Sequence, residues 1–143
     1  MYTNCMSNTI GVGVGALIFN DQGKILLAQR GPKARNEQGK WEIPGGKVEY
    51  GEKLEEAIVR EVLEETGVVV RVKKLLKISD HILSAEKQHW VSPTYICEIV
   101  SGTPSIQEPE KSTQLGWFTL AEAKKLDLAE VTKQDIQFLE TVS

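Results

Sequence analysis

From Ile10 onward the chain alternates. The segment GVGVGALIF sets Val12, Val14, Ala16 and Ile18 against glycines and Leu17, a period-two pattern that predicts a strand. Asn20-Asp21-Gln22-Gly23 has turn chemistry and KILLAQR reads as a second strand, so residues 10–30 are expected to form a hairpin. Residues 31–40 are polar and hold Pro32, which predicts a loop; residues 41–44 form a short extended piece ending in a Gly45-Gly46 turn. From Lys53 to Thr66 good helix formers run unbroken, with acids in the first turn and Gly67 where a helix stops. Beyond it, VVVRVKKLLKI and HWVSPTYICEIV read as strands, and Pro93 predicts an edge position or a bulge for the second. SGTPSIQEPEKSTQ is a loop, GWFTL a short strand, residues 121–125 the opening of a short helix, and residues 131–142 an amphipathic terminal helix.

No repeat, low-complexity run or linker divides the 143 residues, so one domain over 1–143 is expected, with residues 1–9 a loose tail. An apolar fraction of 41% and a charged fraction of 26% belong to a soluble globular chain rather than a disordered one. The formal charge of −3 argues against nucleic-acid polymers and anionic membranes as partners, since both attract basic surfaces. Two cysteines, Cys5 and Cys97, make no disulfide framework. With no signal-like start and no apolar run near the ~18 residues of a span, the expected location is cytoplasmic.

The helix from Lys53 to Thr66 carries the chemistry. With Leu54 at zero and about 100° per residue, Ile58 and Val62 fall within roughly 80° of it, an apolar stripe. Glu61 and Glu65 lie about 20° to either side of Leu54, and Glu64 about 80° away, so these acids border the face that packs inward. Like charges three and four apart cost a helix about 0.2–0.5 kcal/mol per pair, and burying them costs more. Arg60 can pair with Glu64 one turn on, but one arginine does not neutralise three glutamates when Glu52, Glu55 and Glu56 add to the charge. A solvated acidic face is the ordinary explanation of such a cluster. A divalent cation is the other: Mg²⁺ binds carboxylate oxygen and keeps positions for water and substrate phosphate.

The same residues match a known signature. Glycine, five residues, glutamate, seven residues, then Arg-Glu-apolar-x-Glu-Glu-x-Gly-apolar resembles the Nudix box, here filled by Gly46, Glu52, Arg60, Glu61, Val62, Glu64, Glu65, Gly67 and Val68. The resemblance implies an α/β (α+β) fold, an α/β/α sandwich with a mixed central sheet. It implies hydrolysis of a diphosphate joined to another moiety, with Mg²⁺ or Mn²⁺ as cofactor. Glu61, Glu64 and Glu65 would bind metal, as would a backbone carbonyl of Gly45 or Gly46. Glu61 or a loop acid would help deprotonate water, Arg60 would orient Glu61, and Glu52 would brace Arg60.

Outside the box the guidance thins. Members acting on ADP-ribose often carry a proline soon after the box, and here none occurs before Pro93; the tyrosine of diadenosine-polyphosphate members is also missing. By elimination the chain resembles the MutT-type branch, which converts a (deoxy)nucleoside triphosphate to the monophosphate and pyrophosphate. An ADP-ribose or nucleotide-sugar pyrophosphatase is the alternative, and a non-catalytic nucleotide-binding regulator the alternative from another class. The loop QEPEKSTQLGW resembles one that sends an acid to the metal cluster, with Glu110 the first candidate and Glu108 the second. Trp90 is a candidate for stacking on a base, although an aromatic within a strand is more often core. Arg30 is the second substrate-binding candidate. His81 and His89 fit no metal spacing, and Gly11, Gly13 and Gly15 miss the dinucleotide fingerprint, leaving close packing or a pocket floor as their use. The expected partner is a small nucleotide, and a homodimer is compatible with the chain.

Overall fold

The computed structural model describes residues 9–34 and 36–142; of the expected tail, only Thr9 falls among them. Strands β1 (Gly11–Phe19), β2 (Ile25–Arg30), β3 (Trp41–Glu42) and β4 (Gly45–Lys47) precede helix α1 (Leu54–Thr66). Then come β5 (Val69–Leu83), β6 (Gln88–Ser101), β7 (Ser112–Phe118), α2 (Leu120–Ala123) and α3 (Glu130–Val142). The sheet runs β3-β2-β1-β6-β5, with β4 added to β1 and β7 to β2, and only the β1–β6 pairing recorded within it is parallel.

Alternation along β1 decides the layering. Val14, Ala16 and Ile18 pack with Ala57, Ile58 and Val62 of α1, while Leu17 turns to Ala123 of α2 and to Ile136 and Leu139 of α3. Each face of the mixed sheet is thus covered by helix, giving the expected α/β/α sandwich. Lys53 offers α1 no side-chain cap bond, but Glu56 reaches back to accept the Lys53 N–H at 2.9 Å. Gly67 ends the helix at φ +76, where any other residue would be strained.

Several local expectations change in three dimensions. The hairpin of residues 10–30 closes only at Phe19↔Ile25; β1 then leaves β2 to pair with β6, and β2 takes β7. Gly45-Gly46 is a strand rather than a turn, laddered to Gly15 and Val14. Pro93 lies in a central strand, not at an edge. The β1–β6 ladder has no recorded pair between Val12↔Val91 and Gly15↔Thr94, the interval that holds Pro93, so the N–H that proline lacks is not called on there.

Candidate active site

Arg60 organises the acids of α1. Its Nε donates to Glu52 Oε2 at 2.6 Å and its Nη2 to Glu52 Oε1 at 3.0 Å and to the Lys47 carbonyl at 3.0 Å. Nη1 donates to Glu61 at 3.2 Å and to Glu64 at 3.1 Å. The hydrogen bonds from Arg60 hold the Glu52 carboxyl below its usual range. Glu61 differs: burial raises its pKa, Arg60 opposes that, and Glu64 adds to it. The helical phase explains the contrast in exposure, 15% for the Glu61 side chain against 51% for Glu64.

Strand β4 forms the surface on which these acids rest. A side chain on Gly45 would begin 2.0 Å from the Val14 carbonyl, so that position needs glycine, and one on Gly46 would begin 2.3 Å from the Glu61 carboxyl and push it from its place. The Gly45 N–H donates to Glu65 Oε1 at 2.9 Å. Glu65 is pushed up to about 8, first by burial and then by Glu42, with the Gly45 bond opposing and Glu61 and Glu108 adding to the rise. Three other carboxylates, of Glu42, Glu61 and Glu108, therefore act on the buried one.

On the other side of β4 opens a cleft of about 280 Å³. Gly13, Gly15, Gly45, Gly46, Trp90 and Thr94 are among its lining residues. The glycines of β1 thus serve as floor. The Trp90 ring covers Gly11, where a side chain would begin 2.6 Å from the ring, and its indole N–H donates to Gln88 Oε1 at 3.0 Å. Arg30 also lines the cleft, but its guanidinium is engaged by both oxygens of Glu42, at 2.9 and 3.0 Å, and by Asn36. Glu37 reaches from the β2–β3 loop to accept the N–H of Glu130 at the start of α3, at 2.8 Å.

The structure thus brings Glu52, Arg60, Glu61, Glu64 and Glu65 together, with Gly45 and Gly46 shared between the acids and the cleft. Of the two loop acids, Glu108 acts on Glu65, while Glu110 is exposed and its carbonyl abuts Gly31. Two residues escaped sequence reasoning. Glu42 acts on Glu65 from β3, and Lys111 pairs with Glu108 at 3.5 Å and lowers the Glu61 carboxyl. Both lie outside the box, and only the β2–β3 and β2–β7 pairings bring them near.

As the side chains stand, no three acid, histidine or cysteine groups among the described residues converge as ready ligands. Arg60 satisfies Glu61 and Glu64, and the Gly45 N–H satisfies one oxygen of Glu65. The donor chemistry nevertheless fits a hard divalent cation: carboxylate oxygens crowded until one of them holds its proton to about pH 8, beside backbone carbonyls. Glu65 alone of these acids has no cationic partner among the described residues.

A NUDIX domain model matches residues 9–141. The chain is 35% identical over 132 residues to a CTP pyrophosphohydrolase of Escherichia coli, covering 90% of this chain and 89% of that protein. It is 36% identical over 115 residues to an ADP-ribose pyrophosphatase of Methanocaldococcus jannaschii, covering 80% and 65%. It spans only 32% of the length of a putative nudix hydrolase of Caenorhabditis elegans. Among solved structures, a MutT NUDIX hydrolase from Burkholderia pseudomallei superposes with a TM-score of 0.84 at 39% identity, covering 92% of this chain and 98% of that one.

Proposed function

The chain belongs to the Nudix hydrolase family, and from that premise we propose that it hydrolyses a (deoxy)nucleoside triphosphate to the monophosphate and pyrophosphate. The observation that carries this reading is the shared wall: Gly45 and Gly46 line the cleft on one side and face the α1 acids on the other. A nucleotide whose base enters the cleft would run its phosphates along β4 towards Glu61. The similarity to the CTP pyrophosphohydrolase, over nearly the whole of both chains, supports the triphosphate class.

Glu61, Glu64, Glu65 and a carbonyl of Gly45 or Gly46 would hold Mg²⁺ or Mn²⁺, with Glu108 the nearer loop acid and Glu110 the alternative. When bound, the cation supplies charge neutralisation on phosphate and lowers the pKa of water. Water attacks one phosphorus, the bond to the bridging oxygen breaks, pyrophosphate leaves, and Glu61 takes the water's proton. The raised affinity of Glu61 for a proton suits it to that role. Arg60 orients Glu61, and Glu52 braces Arg60. Trp90 stacks on the base, and Arg30 helps close the cleft while Glu42 holds it.

A second reading, ADP-ribose or nucleotide-sugar hydrolysis, is favoured by the M. jannaschii relative. A panel of triphosphates, ADP-ribose and nucleotide sugars, assayed with Mg²⁺, separates the two. Turnover of triphosphates with pyrophosphate as product is expected. Turnover of ADP-ribose alone would defeat the first reading, and tight binding of nucleotide with no Mg²⁺-dependent turnover would make the protein a binding module.

A further inference from the structure

Behind the cleft lies a buried acid that the proposed reaction does not use. Asp135, on α3, is wholly shielded from solvent. Its Oδ2 accepts a 2.7 Å hydrogen bond from the hydroxyl of Thr94 on β6. Its Oδ1 has no hydrogen-bond partner among the described residues, with Lys77 Nζ 3.9 Å away and itself donating to Ser79 Oγ at 2.6 Å. Thr94 lines the cleft, and its Oγ1 is 3.7 Å from where a side chain on Gly15 would begin. Glycine at position 15 keeps the space before Thr94 open.

A hydroxyl has one proton and two lone pairs, whereas an ionised carboxylate only accepts. While Asp135 is charged, the single proton of Thr94 must point backward to it, and Thr94 can offer the cleft only lone pairs. Burial pushes Asp135 up to about 6, opposed by Thr94 and Lys77, so it is charged at neutral pH. Ser92 also lines the cleft, and no carboxylate among the described residues is hydrogen-bonded to its hydroxyl, so that hydroxyl presents proton or lone pair as needed.

We propose that Asp135, acting through Thr94, makes the deep wall of the cleft an obligate hydrogen-bond acceptor, selecting nucleotides whose base carries an exocyclic amino group over those with a carbonyl there. This deepens the reading of the cleft as a nucleotide site and rests on it. Cytosine and adenine present amino donors; uracil and hypoxanthine present oxygen at the same positions. Oxygen against the Thr94 lone pairs leaves two acceptors opposed and unsatisfied, which weakens binding by about 10-fold. Asp135 is a positioning residue, since it meets the ligand only through Thr94.

The test measures binding of CMP, UMP, AMP and IMP by calorimetry to the wild type and to the Thr94→Val, Thr94→Ser and Asp135→Asn variants, each checked for folding by circular dichroism. The wild type should favour CMP over UMP and AMP over IMP by about 10-fold or more. Thr94→Ser should keep that preference and Thr94→Val should reduce it below about 3-fold. Asp135→Asn frees the Thr94 proton, because the amide can donate to its oxygen, and should erase or invert the preference. A preference that is absent in the wild type, or that survives Thr94→Val, overturns the proposal. If Thr94→Val fails to fold, an unchanged preference in Asp135→Asn overturns it equally. Triphosphate turnover with no amino preference refutes this inference alone; neither binding nor turnover of any nucleotide refutes the reading beneath it as well.

Discussion

Glu65 and Asp135 are both carboxylates whose burial raises their pKa, to about 8 and about 6, yet the protein surrounds them in opposite ways. Glu65 stands among Glu42, Glu61 and Glu108, so its neighbours add to the cost of its charge. Asp135 stands beside Thr94 and Lys77, which both lower that cost. Gathered like charges next to an open cleft suit the divalent cation proposed for this site. One acid faced by a hydroxyl and a lysine has its charge partly offset by the protein's own groups, although its Oδ1 has no hydrogen-bond partner among the described residues. A raised pKa is common to both and distinguishes neither; the company each carboxylate keeps does.

Removing divalent metal with a chelator tests this contrast most severely, and turnover of any substrate should cease. The metal-free protein should lose stability as pH rises from about 4.5 through 8, because a raised pKa means the folded state is favoured while Glu65 keeps its proton. Added Mg²⁺ should raise the melting temperature above pH 7 in the wild type and do so far less in Glu65→Gln. A Mg²⁺ response equal in both proteins would remove Glu65 from the site.

Glu61→Gln should lower kcat by at least ~100-fold with the fold intact. Near-normal kcat would end its role as proton acceptor.

Asp135→Asn sharpens the other side. The unfolded acid ionises near its ordinary value of 3.8 and the folded one at about 6, so wild-type stability should decline across that window and stay lower above it. The difference amounts to roughly 3 kcal/mol. Denaturant midpoints measured from pH 4 to 7 should fall for the wild type relative to the variant, and parallel curves would mean Asp135 does not titrate there.

Glu52→Gln should be the mildest change, about 10-fold in kcat with KM little altered, since it loosens Arg60 without touching substrate. A loss as large as that of Glu61→Gln would place Glu52 nearer the chemistry.

Local pattern was enough for the helix, because α1 carries its stripe, its acids and its stop residue within one short segment. Most strands were equally visible through alternation. Pairing was not: Gly45-Gly46 passes for a turn until β1 laddered to it makes it a strand, and Pro93 passes for an edge residue until the gap in the β1–β6 ladder is seen. Such relations join residues dozens of positions apart and leave no local mark.

The amino-acid sequence by itself determined the acid-bearing helix, the glycines before it and the family to which they belong, since a box of fixed spacing on one helix is a local object. Only the tertiary structure decided that β4 would separate acids from cleft, that Glu42 and Glu108 would act on Glu65, and that Asp135 would stand behind Thr94. The reason is physical. A side chain's charge and hydrogen-bond direction depend on what burial places against it, and burial is a property of the packed chain.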